Sequence, residues 1–235
     1  MELWDALARC GPAGREALLA QHWLGAATDD DPAATPLGTR QAAILRGFSA
    51  AFGTRLPCID DCPACGSRIT ADISVEDLLA AQAAAPESRG RLELDDWQVG
   101  YRLPTVADLS AAAQQGDEDS AAAALTAATI TSLRQGDAAA RPEDLPQEVA
   151  EALAELIETE DPLAAAEIGV SCPDCGHHWV SGLDAAALFQ ARLESWARRT
   201  LWEVHHLAMR YGWRESDILA MAPQRREAYL MLDVP

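Results

Sequence analysis

A mainly α chain carrying one small β element is what this sequence predicts, on three observations. Of its 235 residues 48 are alanine, the best helix former, so much of the 49% hydrophobic content builds helix while burying little surface. Apolar residues recur at helical spacing near both ends, whereas residues 91–103 alternate with period two. Two Cys-x-x-Cys pairs, Cys62 with Cys65 and Cys172 with Cys175, complete the argument, because a pair of such knuckles builds a zinc ribbon. The expected class is therefore α+β, mainly helical with a small zinc-ribbon β element whose two knuckles meet across a long helical insertion.

At the start of the chain Leu3, Trp4 and Leu7, then Leu18, Leu19, Trp23 and Leu24, fit two short helices, with an Asp- and Pro-rich loop over Thr28 to Pro36. A third helix over Gly38 to Phe52 carries Ile44, Leu45, Phe48 and Phe52 and stops at Gly53. Leu92, Leu94, Val99, Tyr101 and Leu103 alternate around Asp95-Asp96 as a hairpin does. Pro104 then opens an alanine-rich stretch, read as helical over 105–160 with breaks at Gly116, Gly136 and Pro142. Phe189, Leu193, Trp196, Thr200, Val204, Leu207 and Tyr211 recur every three or four residues, one long amphipathic helix stopped by Gly212. Shorter helices come after it, around Glu215 to Met221 and Pro223 to Leu232. The expected organisation is an N-terminal helical region (1–57), a first knuckle with its hairpin (58–110), an acidic helical insertion (111–165), a second knuckle (166–184) and a C-terminal helical region (185–235).

Charge narrows the function. Acids number 37 against 18 basic residues, a net charge of −19, which repels phosphate backbones and anionic lipid, so neither nucleic acid nor a membrane is the expected partner. All 18 basic residues are arginine, which removes lysine Schiff bases, the Gly-Lys-Ser/Thr phosphate loop and the lysine-dependent kinase motifs. Met1 to Ala20 has no signal-peptide pattern and no stretch approaches the ~18 apolar residues of a membrane span, so the expected compartment is the cytoplasm. Residues 108–167 hold 14 acids and 2 arginines and read as a solvated helical face, while 191–235 hold 7 arginines against 6 acids.

Placed under each other, Cys62-Pro-Ala-Cys65-Gly66 and Cys172-Pro-Asp-Cys175-Gly176 begin a longer internal repeat. Ile69 aligns with Trp179, Ile73 with Leu183, Leu78 with Leu188, and Ser74 with Asp184 where each helix needs its cap. Each copy reads as knuckle, strand, helix. Two thiolates at this spacing reach one tetrahedral Zn²⁺ at ~2.3 Å, and two knuckles supply all four ligands of a closed structural site. The expected ligands of one structural zinc ion are Cys62, Cys65, Cys172 and Cys175, although 106 residues separate Cys65 from Cys172; loop-closure entropy grows only logarithmically with such a length. Cys58, His177 and His178 lie close enough in sequence to replace a ligand, and Cys10 reads as a small core residue. A redox dithiol is the rival, but there a Cys-x-x-Cys opens a helix, whereas here glycine and a strand-like alternation come next. His205-His206 with Glu203 lacks the His-Glu-x-x-His spacing of a catalytic zinc site. No catalytic residues are expected.

The order of short motifs resembles the phage baseplate hub assembly chaperone family of contractile tails and contractile injection systems. Its elements here are Pro36-Leu-Gly-Thr-Arg-Gln41, Phe52-Gly53, the first knuckle, Tyr101-Arg-Leu-Pro-Thr105 with Asp108-Leu109, Asp161-Pro162 and the second knuckle. Glu203-Val-His205-His-Leu207-Ala208, Tyr211-Gly-Trp213, Ile218-Leu219 and Arg225-Arg226 through Tyr229-Leu230 complete them. Arg214 and Ala222 stand where a serine-like cap is expected. The resemblance implies a non-enzymatic factor that helps the baseplate hub assemble, with hub or spike proteins as partners. A permanent baseplate component and a zinc-ribbon adaptor of transcription or translation machinery are the alternatives. Trp, Tyr and Arg dominate protein interfaces, so Trp213, Arg225, Arg226 and Tyr229 are the expected partner-binding residues.

Overall fold

The computed structural model describes residues 1–24, 34–82 and 89–232; most of the loop expected over Thr28 to Pro36 lies outside the described residues. Helix takes 55% of the described residues and strand 21%, an α+β protein as expected, but with more sheet than one ribbon needs. Two compact units form, Arg15–Leu188 and Met1–Gly14 with Phe189–Pro235. No helix among the described residues is long and apolar enough to cross a membrane.

The chain opens with α1 (Glu2–Ala8) and α2 (Pro12–Leu24). In the larger unit α3 (Leu37–Phe52) buries Ala42, Ala43, Ile44, Leu45 and Phe48 and ends at Gly53. A side chain at Gly47 of α3 would collide with the Trp23 ring of α2, so glycine there sets how closely the two helices pack. The hairpin β1 (Arg55–Asp61) and β2 (Arg68–Ser74) comes next, then α4 (Val75–Ala81).

Beyond α4, β3 (Arg89–Leu94) and β4 (Trp97–Arg102) pair as the alternation predicted. After α5 (Val106–Ala112) and α6 (Glu118–Thr129), however, the stretch expected to stay helical to residue 160 turns into β5 (Ile130–Gln135) and β6 (Ala138–Ala139). These extend the hairpin to a four-stranded antiparallel sheet in the order β3-β4-β5-β6. Two causes act. Ile130 and Thr131 are β-branched, and Leu133 pairs with the fully buried Val99, so partnership with β4 overrides the alanine-rich surroundings. Gly136, at φ +54°, then supplies the turn into β6. A 3₁₀ turn (Pro142–Asp144) leads to α7 (Gln147–Glu160), whose Val149 and Leu153 close a core with Trp97, Val99, Tyr101 and Leu133. The second hairpin, β7 (Glu167–Ser171) and β8 (His178–Gly182), completes the larger unit.

The long helix is present as α8 (Ala185–Tyr211), stopped at Gly212 with φ +66°. Its buried stripe is Phe189, Leu193, Ala197, Thr200, Val204 and Leu207; Trp196, expected on it, is 39% exposed. Spacings of four and four from Phe189 reach Ala197, and size alone favoured the neighbouring tryptophan. Two short helices, α9 (Glu215–Leu219) and α10 (Pro223–Met231), return to cover Val204, Leu207 and Ile218 with Tyr211, Trp213 and Tyr229. Neither Arg214 nor Ala222 caps its helix by a side-chain bond.

Candidate metal centre

Each knuckle is the turn of a hairpin, so a strand precedes it as well as follows it. The registers repeat at an offset of 110: Asp61 faces Arg68 as Ser171 faces His178, and Ile59 faces Thr70 as Gly169 faces Val180. Within each turn the first cysteine's N–H donates to the carbonyl five residues on, Cys62 to Ser67 at 2.9 Å and Cys172 to His177 at 2.9 Å. The glycine N–H returns to the first cysteine's carbonyl, at 2.8 Å from Gly66 and 3.0 Å from Gly176. Both glycines are left-handed, at φ +74° and +73°, and a Cβ on either would touch nothing within 4 Å. Backbone conformation, not crowding, calls for glycine there.

The two turns meet tip to tip. The sulfurs of Cys62, Cys65, Cys172 and Cys175 all lie within 4.8 Å of one another. Across the hairpins Cys62 Sγ stands 3.7 Å from Cys175 Sγ, and Cys65 Sγ 3.7 Å from Cys172 Sγ. A tetrahedron of sulfurs ~2.3 Å from a central ion has edges of about 3.8 Å, so these distances suit a metal shell. The four cysteines could hold one metal ion, and an all-thiolate tetrahedral set suits zinc or iron. Cys62 and Cys172 are buried, while Cys65 and Cys175 face solvent.

Electrostatics points the same way. The Cys65 thiol is held down at about 6, first by its hydrogen bond with the Ser67 side chain and then by the Ser67 backbone and Cys175. Cys175, although the His177 amide favours its thiolate, is pushed up to about 12 by Cys65, by desolvation and by the remaining sulfurs. Thiolates packed this closely repel, and a divalent cation is what lets four coexist.

The other candidate ligands are placed elsewhere. His177 stacks on Trp179, with ring centroids 6.0 Å apart, and His178 Nδ1 bonds Ser171 Oγ at 2.7 Å. Cys58 lies back along β1, lining a cavity of about 180 Å³ between the hairpins, where burial and then Asp72 push its thiol up. Cys10 is half-buried and donates to Ala6 O at 3.4 Å.

Two further links join the repeats, and sequence reasoning missed both. Trp179 Nε1 donates to Asp60 Oδ2 at 3.0 Å, which with the Ser181 hydroxyl holds the Asp60 carboxyl below its usual range. Deeper, Asp161 accepts from Gly38 N at 3.0 Å and from Gln82 Nε2 at 2.8 Å, while Gln82 Oε1 accepts from Leu163 N at 3.0 Å. Gln82 closes α4, behind the first knuckle, and Leu163 leads into β7 and the second. A side chain at Gly38 would collide with the Asp161 carboxylate. The signal was in the motifs, since Gly38 and Asp161 both belong to them, but nothing in their spacing says that they touch. Likewise Arg102 grips Asp108 with two nitrogens, at 2.6 and 2.7 Å, while Thr105 and Asp108 cap α5 reciprocally.

The expected partner-binding residues separate. Arg226 is 5% exposed, its Nε donating to Glu203 Oε2 at 2.9 Å and an Nη to Met221 O at 2.8 Å. The buried Glu203 carboxylate draws it inward, so Arg226 holds α10 on α8 and presents no surface. Trp213 and Tyr229 are half-buried against Tyr211, and only Arg225 of the four is exposed.

Residues 20–189 match the family described as T4 bacteriophage base plate protein, a span that includes both knuckles. No curated protein and no solved structure matches the chain.

Proposed function

We propose a specific role for this chain within the family to which it belongs, the T4 bacteriophage base plate proteins: a non-enzymatic assembly chaperone for the baseplate hub of a contractile phage tail or contractile injection system, working in the cytoplasm against hub or spike proteins. Family membership supplies the baseplate-related role. The observation that carries the finer reading is the closed cysteine tetrad inside the matched span. Four protein sulfurs around one ion leave no coordination position for water or substrate, the mark of a structural rather than a catalytic site. We take the ion to be zinc, tying the ends of a long excursion of the chain into one fixed surface. Cys62, Cys65, Cys172 and Cys175 would hold it, and its chemistry there is cross-linking alone.

The test is mass spectrometry of proteins that co-purify with a tagged copy from its native host, beside finished particles from the same cells. Hub or spike proteins in the first sample, with this chain absent from the second, is the expected result. Stoichiometric presence in particles makes it a permanent baseplate component. Absence of every tail protein from both samples overturns the role and favours a general zinc-ribbon adaptor. Metal analysis of the purified protein should return one zinc per chain.

A further inference from the structure

A second feature of the larger unit lies away from the cysteines. Between α5, α6 and α7 runs an apolar groove of about 500 Å³, within the 300–1,000 Å³ range of binding clefts. Leu109, 42% exposed, stands on one wall, and the half-exposed Leu125 and Ile157 line the others. Its lining draws on three separate stretches of the sequence, through Leu37, Pro104 with Leu109, and Asp161 with Pro162. Three stretches far apart in the chain thus meet at one trough.

Charge says what fits. Among the described residues, the charged ones of the lining are Glu158, Asp161 and Glu167, all acidic, with no arginine. Asp161 is engaged with Gly38 and Gln82, which leaves Glu158 and Glu167 exposed at the rim. The unit around them, residues 15–188, holds 10 arginines against 29 acids. An apolar trough with an acidic rim is complementary to a helix that carries leucine-like anchors on one face and basic residues beside them.

We propose that this groove docks a basic amphipathic helical segment of another protein. The inference rests on the assembly-factor reading only for the source of that segment, a baseplate protein; the groove and its chemistry stand without it.

The full-length protein is titrated by fluorescence anisotropy with two synthetic 18-residue amphipathic helices, one of leucine and arginine, the other of leucine and glutamate. The arginine peptide should bind at least tenfold more tightly. Leu109→Asp separates docking from simple charge attraction, because it removes an anchor while making the protein more acidic. Groove docking predicts at least a tenfold loss with Leu109→Asp, and the same with Ala154→Trp, which fills the trough without changing charge at an exposed position of α7. Met209→Asp, which adds the same charge at a 77% exposed position on α8, should leave affinity within twofold. Circular dichroism checks that each variant is folded. Unchanged or tighter binding by Leu109→Asp overturns the proposal, as does equal binding of the two peptides. So does a Leu109-dependent dimer in sedimentation, which would make a second copy the occupant. Hub co-purification bears on the assembly role alone, so either reading can fail without the other.

Discussion

Laid over one another at an offset of 110 residues, the two knuckles share hairpin register, amide bonds and left-handed glycine, and each is followed by a capped helix, Ser74 receiving the Asp77 amide and Asp184 that of Ala187. Yet the first leads into a helix of 7 residues and the second into one of 27. The common part is a local code that needs nothing beyond a dozen residues. The length of each helix depends instead on how far an apolar stripe continues: after Ser74 it ends with Leu78 and Leu79 before Gln82 turns inward, whereas after Asp184 it runs to Leu207. A repeat thus fixes a turn, and the sequence beyond it decides the architecture.

The largest test of that equivalence is at the sulfurs. Cys62→Ser and Cys172→Ser, at sites that are each 2% exposed, should be equally severe, since a structural zinc of the kind proposed contributes about 10 kcal/mol or more of apparent binding energy. Metal content and thermal unfolding should fall together. A folded, metal-free Cys62→Ser/Cys172→Ser protein would falsify the shared site.

Second in size is the polar knot that joins the two copies without metal. Asp161→Ala strands Gln82 Nε2 and the Gly38 amide in the interior, an expected loss of about 1–3 kcal/mol in denaturant unfolding. A change below ~0.5 kcal/mol would mean that the sulfurs alone hold the repeats together.

Asp108 serves as a reference outside both knuckles. Its carboxyl is held down at about 2, first by the Arg102 guanidinium, against desolvation and with help from Thr105. A lowered folded value means that its contribution, about 2 kcal/mol, is complete above the unfolded value near ~4 and is lost as pH falls toward 2. Asp108→Asn should remove that part of the acid sensitivity and leave metal content unchanged. Retention of the full acid dependence would argue against the ion pair.

Smaller effects sharpen the comparison. Gly66→Ala and Gly176→Ala should each cost about 1–2 kcal/mol, and nearly the same amount, because the penalty is conformational at both. Unequal losses would reveal crowding at one turn. Ser74→Ala and Asp184→Ala remove equivalent caps worth about 1 kcal/mol. The loss should be larger for Ser74, because α4 has two turns to spread it over and α8 more than seven; amide exchange in each helix reads it directly.

The sequence showed most where chemistry is local. The Cys-x-x-Cys-Gly turns, the hairpin at Asp95-Asp96 and the stops at Gly53 and Gly212 are each encoded within a few residues, and the structure has all of them. Strand β5 was hidden because its pairing with β4 joins residues 29 to 38 apart, which no window of periodicity detects. The inward turn of Arg226 depends on Glu203, 23 residues away on another helix. Arginine next to tyrosine at the end of a chain looks the same whether it faces solvent or closes a core.

The cysteine tetrad also fixes an order of events during synthesis. Cys172 is made 107 residues after Cys65, and at about 5–20 residues per second the ribosome takes roughly 5 to 20 seconds to cover that distance. Through that interval the emerging chain has only half a coordination shell. A clasp on these four sulfurs can set only once Cys175 has been made, so supply of the proposed metal would act as a checkpoint that comes after the residues of the four-stranded sheet and α7.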